Sequence, residues 1–297
     1  MARTSSVIKT FVGFMLCILV GASATAHPGS GIVVDEYGQI YFTDTGKGVW
    51  KIDTNGKLIY LPASRFHWMA FDAAGSFAGS PKNFGEYFER ITPQNNKPAL
   101  IMCSDFPLVV GKDGNIYYAN TRPGSAKIIK RTPGGRESVL ASNKVFEFIS
   151  DIAVGPDGSL YITEASNANA NTIRKITMNG TVSIVATFHG KKIKDPPLET
   201  MPSYCRGLAI DAQGFIYVAA TGSRSVIKIS PEGVMTTILQ ESGPWTPTGV
   251  AEFHGEVYVL EWHDVPASLS EVRTAHIPRV RKIGSDGKVI TIATVSR

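Results

Sequence analysis

The sequence predicts an all-β fold, a six-bladed β-propeller in which each blade has four antiparallel strands. Three observations support this prediction. A two-strand phrase with a central glycine recurs six times, the copies follow one another at about forty residues, and a second two-strand phrase comes after each copy. Two hairpins in a unit of this length are typical of a propeller blade. Because all six units are complete, we expect no exchange of strands between the termini.

The first phrase is clearest at residues 207–221, which read GLAIDAQGFIYVAAT. An apolar run leads into a polar turn that a glycine closes, and a run rich in β-branched and aromatic residues follows, as in a β-hairpin. The turn glycines of the six copies are Gly38, Gly75, Gly114, Gly158, Gly214 and Gly255. They are separated by 37, 39, 44, 56 and 41 residues, which predicts blades of similar size.

The second phrase contains Lys-Ile or a close variant and predicts the other two strands of each blade. Its copies occupy residues 49–61, 88–102, 128–141, 173–186, 226–239 and 280–293. Blade 2 departs from the pattern, because Gly75, Gly79 and Pro81 interrupt its second strand. Glycine weakens a strand and proline cannot donate a ladder hydrogen bond, so we expect that strand to be short or distorted.

Residues 1–26 have the pattern of a secretory signal peptide. Arg3 and Lys9 precede a short apolar run, and Ala-Thr-Ala supplies the small residues of a cleavage site. We expect cleavage after Ala26, a single domain over residues 27–297, and a secreted or periplasmic monomer without stable membrane insertion. Removing the two cations lowers the formal net charge from +5 to +3. Such a modest charge argues against nucleic acid as a partner.

Two cysteines, Cys103 and Cys205, remain after the predicted cleavage. An oxidising compartment permits a disulfide between them. Both precede the inner strands of blades that are not neighbours, so the bond would require a narrow channel, with Cα atoms about 4.4–6.8 Å apart. A disulfide and two separate, partly buried thiols are both open at this point.

The predicted connections divide the propeller into two unlike faces. We call the strands of a blade inner, second, third and outer, counted from the central channel. Turns within the two hairpins of a blade are short and share one face, the short-turn face. The other connections share the long-loop face, with long segments at 166–172, 189–205, 240–247 and 262–278. Long loops gathered on one face of a repeat protein favour that face as a binding surface.

Inner strands begin and second strands end at the long-loop face, so their terminal polar residues are expected to surround one mouth of the channel. His67 could act there as a general base, Arg206 could bind an anion or oxyanion, and His263 lies beside Glu261 in sequence. These are the candidate catalytic residues His67, Arg206 and His263. The candidate metal ligands are Asp44, Asn120, Asp151, Glu164 and Glu261.

Carboxylate and amide oxygens suit a hard divalent cation, Ca²⁺ or Mg²⁺, whereas histidine with carboxylates would suit a borderline metal such as Zn²⁺, the less favoured choice. A bound cation could polarise a carbonyl or activate water. Each candidate also has a structural interpretation, as a turn cap, a rim charge or a packed ring. The sequence contains no phosphate loop, nucleophile elbow or CxxC motif, so we expect no other cofactor.

The FTDT and VWKID segments within residues 42–53 resemble the NHL repeat, and the six-blade layout resembles the senescence-marker-protein/gluconolactonase superfamily over about residues 30–295. The resemblance implies a six-bladed propeller and, in the lactonases, a divalent metal held at the mouth by Glu, Asn and Asp. Virginiamycin B lyase and the peptide-amidating lyase are similar propellers with histidine-containing sites.

The residue-by-residue match to these enzymes is incomplete. The lactonases carry Asn or Asp before the glycine that opens an inner strand, where this chain has Ser30, Arg206 and Thr248. The streptogramin lyases have His-Gly where Arg206 precedes Gly207, although Glu261-Trp262 is similar to a lyase Glu-Trp pair. The resemblance therefore indicates the fold better than the function.

We expect an exported binding or scaffold protein that presents a small-molecule or protein ligand site on the long-loop face. The alternative is a metal-assisted hydrolase or lyase that acts on a lactone or similar ester at the same mouth. A cation at Glu164 or Glu261 would favour the enzyme. A mouth plugged by Trp68 and Phe106 would favour the binding protein.

Overall fold

The computed structural model describes residues 28–92, 99–120, 126–142, 146, 148–165, 170–189, 205–265 and 275–296. The predicted signal peptide lies outside these residues, as do parts of the predicted long loops. Within the described ranges, no helix is both long and apolar enough to cross a membrane.

The described residues form six antiparallel sheets. Blade 1 contains β1 (Ile32–Val34), β2 (Ile40–Asp44), β3 (Gly48–Ile52) and β4 (Leu58–Leu61). Blade 2 contains β5 (Trp68–Asp72), β6 (Phe88–Ile91) and β7 (Ala99–Cys103). Blade 3 contains β8 (Leu108–Val110), β9 (Ile116–Asn120), β10 (Lys127–Arg131) and β11 (Glu137–Ser142).

The second half of the chain repeats the arrangement. Blade 4 contains β12 (Phe148–Val154), β13 (Leu160–Ala165), β14 (Ala170–Ile176) and β15 (Val182–His189). Blade 5 contains β16 (Gly207–Ile210), β17 (Ile216–Ala220), β18 (Ser225–Ile229) and β19 (Met235–Gln240), with a 3₁₀ turn at Thr221–Ser223. Blade 6 contains β20 (Trp245–Phe253), β21 (Glu256–Val265), β22 (Ala275–Ile283) and β23 (Val289–Thr294).

Neighbouring sheets pack face to face, because each blade presents apolar side chains on both of its surfaces. Ile32 and Phe42 of blade 1, for example, share one buried cluster with Leu260 and Trp262 of blade 6. The six inner strands surround a channel with a cavity of about 350 Å³. The predicted six-bladed β-propeller is therefore confirmed.

Blade 2 corrects one detail of the predicted layout, since its described residues form three strands in the order β5-β7-β6. The expected second strand is missing from that sheet, because the chain after Asp72 turns and buries Phe77 instead of extending. Asp72 accepts hydrogen bonds from the backbone N–H groups of Ser76 and Phe77, at 2.8 and 2.7 Å. The predicted outer strand, β7, takes the vacant place and pairs directly with the inner strand.

Blade 6 corrects a second detail, because two segments predicted as loops belong partly to strands. Residues 245–247 form the start of β20, where Trp245 pairs with His263. Residues 262–265 and 275–278 continue the β21–β22 hairpin. Trp262 is buried in the blade 1 interface, and this burial keeps the hairpin paired beyond the expected strand end.

The ring closes without strand exchange in the described residues, as predicted, because blades 1 and 6 are each built from one continuous segment. Two buried donors of blade 6 join it to the chain entering blade 1. The carbonyl of Gly29 accepts from Thr248 Oγ1 at 2.7 Å and from Trp262 Nε1 at 3.0 Å. The N–H groups of Ser30 and Gly31 then donate to the carbonyl of His67, each at 2.8 Å, and so reach blade 2.

Removing these donors should weaken ring closure. We expect Thr248→Val to lower the free energy of unfolding by about 1 kcal/mol, because a buried hydrogen bond is lost. Adding Trp262→Phe leaves the Gly29 carbonyl without either donor and should raise the loss to about 3 kcal/mol. Urea unfolding monitored by circular dichroism measures both changes. Thr246→Val is the matched control, because Thr246 is also buried and lies in the same strand. An equal loss in that control would contradict the assignment.

Candidate functional site at the channel mouth

The mouth of the channel on the long-loop face is capped by the first residue of β5. The Trp68 indole Nε1 donates to the carbonyl of Ser150 at 3.2 Å and thereby reaches from blade 2 to blade 4. Trp68 also lines the channel cavity. Phe106 is not among the residues that line this cavity, and it is buried in the core between blades 2 and 3, against which Trp68 also packs. Trp68 therefore forms the cap of the channel.

His67 lies beside this cap in a defined orientation. Its Nδ1 is 2.9 Å from the carbonyl oxygen of Ser104, and its ring centroid is 5.5 Å from that of Trp68. A carbonyl can only accept, so Nδ1 carries a proton, and in the neutral ring Nε2 is the basic nitrogen. The geometry is compatible with the predicted role of His67 as a base.

Asp151 is the carboxylate at the mouth end of the channel lining. Its Oδ1 accepts from the N–H of Ile152 at 2.9 Å, and its Oδ2 accepts from the N–H of Leu208 in blade 5 at 2.8 Å. Burial raises the pKa of Asp151 to about 8, although the two N–H groups and the charge of Arg206 oppose this shift. Asp151 is therefore a carboxyl group that titrates near neutral pH.

Ser150 connects the cap to the Asp151–Arg206 region. Its Oγ lies 2.9 Å from Thr163 Oγ1 and also donates to the carbonyl of Cys205, the residue before Arg206. Arg206 itself is only 8% exposed. Blades 2, 4 and 5 thus meet at a hydrogen-bonded patch around Ser150, next to Asp151 and Arg206 in sequence, while His67 lies beside Trp68.

Asp44 lies at the end of β2 and is fully buried. Its Oδ1 accepts from the N–H of Gly46 at 2.9 Å, and its Oδ2 accepts from the indole of Trp50 at 3.0 Å. Both contacts lie within the β2–β3 hairpin, one in its turn and one on β3, which matches the structural interpretation of Asp44 as a turn cap.

Glu164 and Glu261 lie on the second strands of blades 4 and 6, and both are paired with arginines. Arg174 Nε donates to Glu164 at 2.6 Å, and Arg279 Nε donates to Glu261 at 2.6 Å. Burial raises the pKa of Glu261, while Arg279 opposes the shift. A buried carboxylate needs such a partner to remain charged.

A wider ion-pair network joins blades 5 and 6. Glu241, which follows β19, accepts from Arg279 Nη2 at 3.2 Å and from Arg281 Nη1. In strand register Arg281 is the counterpart of Arg174, but it binds Glu241 because Arg279 already binds Glu261. Sequence reasoning missed these arginines. The sequence signal was an arginine on the third strand close to a glutamate on the second strand, which predicts a cross-strand ion pair.

His263 and Asn120 complete the predicted set. The His263 ring centroid is 5.0 Å from that of Trp245. The guanidinium carbon of Arg279 lies over the Trp245 ring, 4.0 Å from its centroid. Asn120 is the last residue of β9 and is partly buried. Both residues stay candidates by position.

The described residues contain no group of three or more His, Cys, Asp or Glu side chains that could hold a metal ion. The four predicted carboxylate ligands are therefore not gathered into one such group. Cys103 and Cys205 are free, buried thiols in different core clusters. The structure thus has the two separate thiols and not the disulfide. Burial raises the pKa of Cys103 to about 11.

The architecture defines a six-bladed β-propeller with a polar channel mouth. No protein-family model matches the chain. Human teneurin-4 is 27% identical over 228 residues, covering 67% of this chain and 8% of that protein. Mouse teneurin-3 is 27% identical over 168 residues, covering 55% of this chain and 6% of that protein. The chain therefore spans less than a tenth of the length of these curated relatives.

Similar solved structures include a luciferin-regenerating enzyme, with a TM-score of 0.56 and 19% identity, covering 86% of this chain and 92% of that chain. A streptogramin B lyase has a TM-score of 0.55 and 17% identity, and the match covers 92% of this chain and 85% of the lyase chain. Regucalcin from Agrobacterium tumefaciens, a calcium-binding protein, has a TM-score of 0.51 and 12% identity, covering 86% and 90%. These likenesses confirm the predicted superfamily resemblance at the level of the fold.

The raised pKa of Asp151 predicts a pH dependence of stability. Between its ordinary pKa of 3.8 and about 8, the folded protein holds a proton that the unfolded chain releases. The contribution of Asp151 to stability is therefore complete below pH 4 and decreases as pH rises towards 8, by up to about 1.4 kcal/mol per pH unit.

Urea unfolding at several pH values should show this loss in the wild type and a flatter profile in Asp151→Asn. Asp157→Asn is the control. Lys175 lowers the pKa of Asp157, so the pH dependence of stability that Asp157 causes is confined to pH values below 4. Parallel profiles for the wild type and Asp151→Asn between pH 5 and 8 would refute the assignment.

Proposed function

We propose that this chain is an exported binding protein that holds a small molecule or a partner protein at the mouth on its long-loop face. The observation that carries the proposal is the internal use of the mouth carboxylates. Glu164 and Glu261 are paired with arginines, and Asp44 caps a turn. Carboxylates with these internal partners stabilise the strands around the mouth, and they are poorly placed to act on a substrate.

The side chains that do reach the surface suit binding. Trp68, His67, Tyr87, Trp245 and His263 are partly exposed rings. Contacts hold them in place, such as the hydrogen bond of Trp68 and the edge-to-face contact of Tyr87 with Phe106 at 5.1 Å. Fixed aromatic side chains provide a large contact area at a small entropic cost.

The residues at the mouth do not fit the predicted divalent cation. Ca²⁺ and Mg²⁺ need several oxygens that are free to coordinate. Here a cation would have to displace arginines from Glu164 and Glu261, and both oxygens of Asp151 already accept backbone N–H groups. We therefore assign no step of this function to a metal. The calcium named for the regucalcin structure is a property of that protein.

Export and partner class follow from the sequence pattern. The signal-peptide pattern of residues 1–26 supports a secreted or periplasmic protein. The modest charge after cleavage supports a small molecule or a protein as the ligand, and not nucleic acid.

The second candidate function is a hydrolase or lyase acting on a lactone or similar ester. Asp151 favours it, because a carboxyl with a pKa of about 8 keeps a proton at neutral pH that it can give to a leaving group. Arg206 would stabilise negative charge on the substrate, and His67 would act as the base.

Metal analysis of the purified mature protein, with a lactone and ester panel assayed with and without chelator, separates the two candidates. We expect no stoichiometric metal, no change of Tm with chelator and no turnover. Turnover that disappears in Asp151→Asn but persists in the exposed control Glu232→Gln would replace the binding function by the second candidate.

Binding is tested by ligand-observed NMR with a library of aromatic and sugar fragments. We expect at least one fragment class to lose binding in Trp68→Ala and to keep it in Tyr37→Ala. Tyr37 is the matched control, because it is an exposed aromatic residue in a turn on the opposite face. Survival of every interaction in Trp68→Ala would contradict the proposed mouth site.

A further inference from the structure

A strained arginine lies on the long-loop face, in the connection between β17 and β18 of blade 5. Arg224 has φ 49° and ψ 44°, in the left-handed region that glycine adopts at lower cost. The corresponding connection of blade 1 has three residues, 45–47, whereas this one has four, 221–224, and Arg224 is the last of them. A strained backbone that carries a charged side chain points to a function of that side chain.

Hydrogen bonds fix this turn against the chain that enters blade 6. Thr221 Oγ1 donates to the carbonyl of Pro247 at 2.9 Å, and Arg224 Nη1 donates to the carbonyl of Gly243 at 3.2 Å. The N–H of Glu241 donates to the carbonyl of Arg224 at 2.9 Å. The guanidinium is therefore held in position before a ligand arrives, which lowers the entropic cost of binding.

The guanidinium of Arg224 has no anionic partner. Among the described residues, no carboxylate forms an ion pair with it, and its side chain donates only to the Gly243 carbonyl. Its Nε is buried and has no acceptor. The Arg224 side chain is partly buried, and a guanidinium in such surroundings forms its strongest hydrogen bonds with an anion.

The charged groups next to Arg224 leave one positive charge in excess. Glu241 binds both Arg279, at 3.2 Å, and Arg281. Glu261 lies 2.6 Å from Arg279 and 3.9 Å from Arg281. With Arg224, three arginines face two glutamates, and the Nε of Arg281 is also buried without an acceptor. A singly charged carboxylate would balance this arginine cluster.

The surface beside Arg224 is polar. Gln240 and Ser242 are exposed, and the hydroxyl groups of Ser223 and Ser225 lie 2.7 Å apart. Hydroxyl and amide groups can donate and accept hydrogen bonds, so they suit the polar part of a ligand better than an apolar chain.

We propose that Arg224 binds a carboxylate group of a polar ligand on the long-loop face. The carboxylate accepts from the Nη groups of Arg224 and supplies the negative charge that the arginine cluster lacks. A free small acid and the carboxyl terminus of a peptide share this chemistry. The inference rests on the proposed function, because it names the group by which a ligand of that face is recognised.

Two matched pairs of probes test the carboxylate, by ligand-observed NMR with the mature protein. N-acetyl-diglycine and its terminal amide represent a peptide, and lactate and lactamide represent a small acid. We expect at least one acid to bind, and its amide to bind at least about tenfold more weakly, the scale of one charge-assisted hydrogen bond. The pair that responds identifies the source of the carboxylate.

Equal affinity of acid and amide in both pairs would overturn the inference, as would the absence of binding by both acids. Where neutral fragments still bind in a Trp68-dependent manner, the proposed function stands and only the carboxylate site fails. Where no fragment binds at all, both fail.

Arg224→Gly separates binding from a structural role. Glycine adopts this backbone conformation without strain, so the variant should unfold at the wild-type temperature or above, yet bind the acid at least about tenfold more weakly. Arg224→Lys keeps the charge but loses the planar fork, and its affinity should lie between the two.

His254→Gly is the matched control. Within the described part of the chain, His254 is the other non-glycine residue with positive φ, at 53°, and it lies in a turn on the opposite face. This variant should bind the acid like the wild type. Wild-type affinity in Arg224→Gly would refute the site, and a lowered unfolding temperature with that affinity would assign Arg224 a structural role instead.

Discussion

The packing of each sheet against its two neighbours is the constraint on which the rest of this structure depends. A single blade cannot bury both of its apolar surfaces, so six of them must close into a ring. Closure brings together groups that are far apart in sequence, such as the Trp262 indole and the Gly29 carbonyl. Because every blade enters the ring in the same phase, the ends of equivalent strands meet at one mouth.

Burial decides what the charged groups at that mouth can do. Glu261 is fully buried and paired with Arg279, so this carboxylate is tied to the packing of blade 6. Asp151 is held by two backbone N–H groups. Burial raises its pKa to about 8 against the opposing effect of these N–H groups, whereas the paired carboxylates serve as links between strands.

Contacts between residues close in sequence could be predicted at this site, whereas contacts between distant strands could not. The turn-cap interpretation of Asp44 needed only the next six residues, and it was available from the sequence. The contact of Trp68 with Ser150 joins blades that are not neighbours, and no local pattern contained it. The arginine partners of Glu164 and Glu261 lie on the adjacent strand, where a register is needed before the pair becomes visible.

The sequence by itself determined the number of blades, their phase and the face on which the mouth lies, because turn glycines and strand periodicity are local signals that recur in register. Only the tertiary structure decided that β7 replaces the second strand of blade 2, that Trp68 caps the channel and that arginines bind the mouth glutamates. These outcomes depend on which side chains meet across separate sheets. That depends on packing and burial, which a linear pattern does not contain.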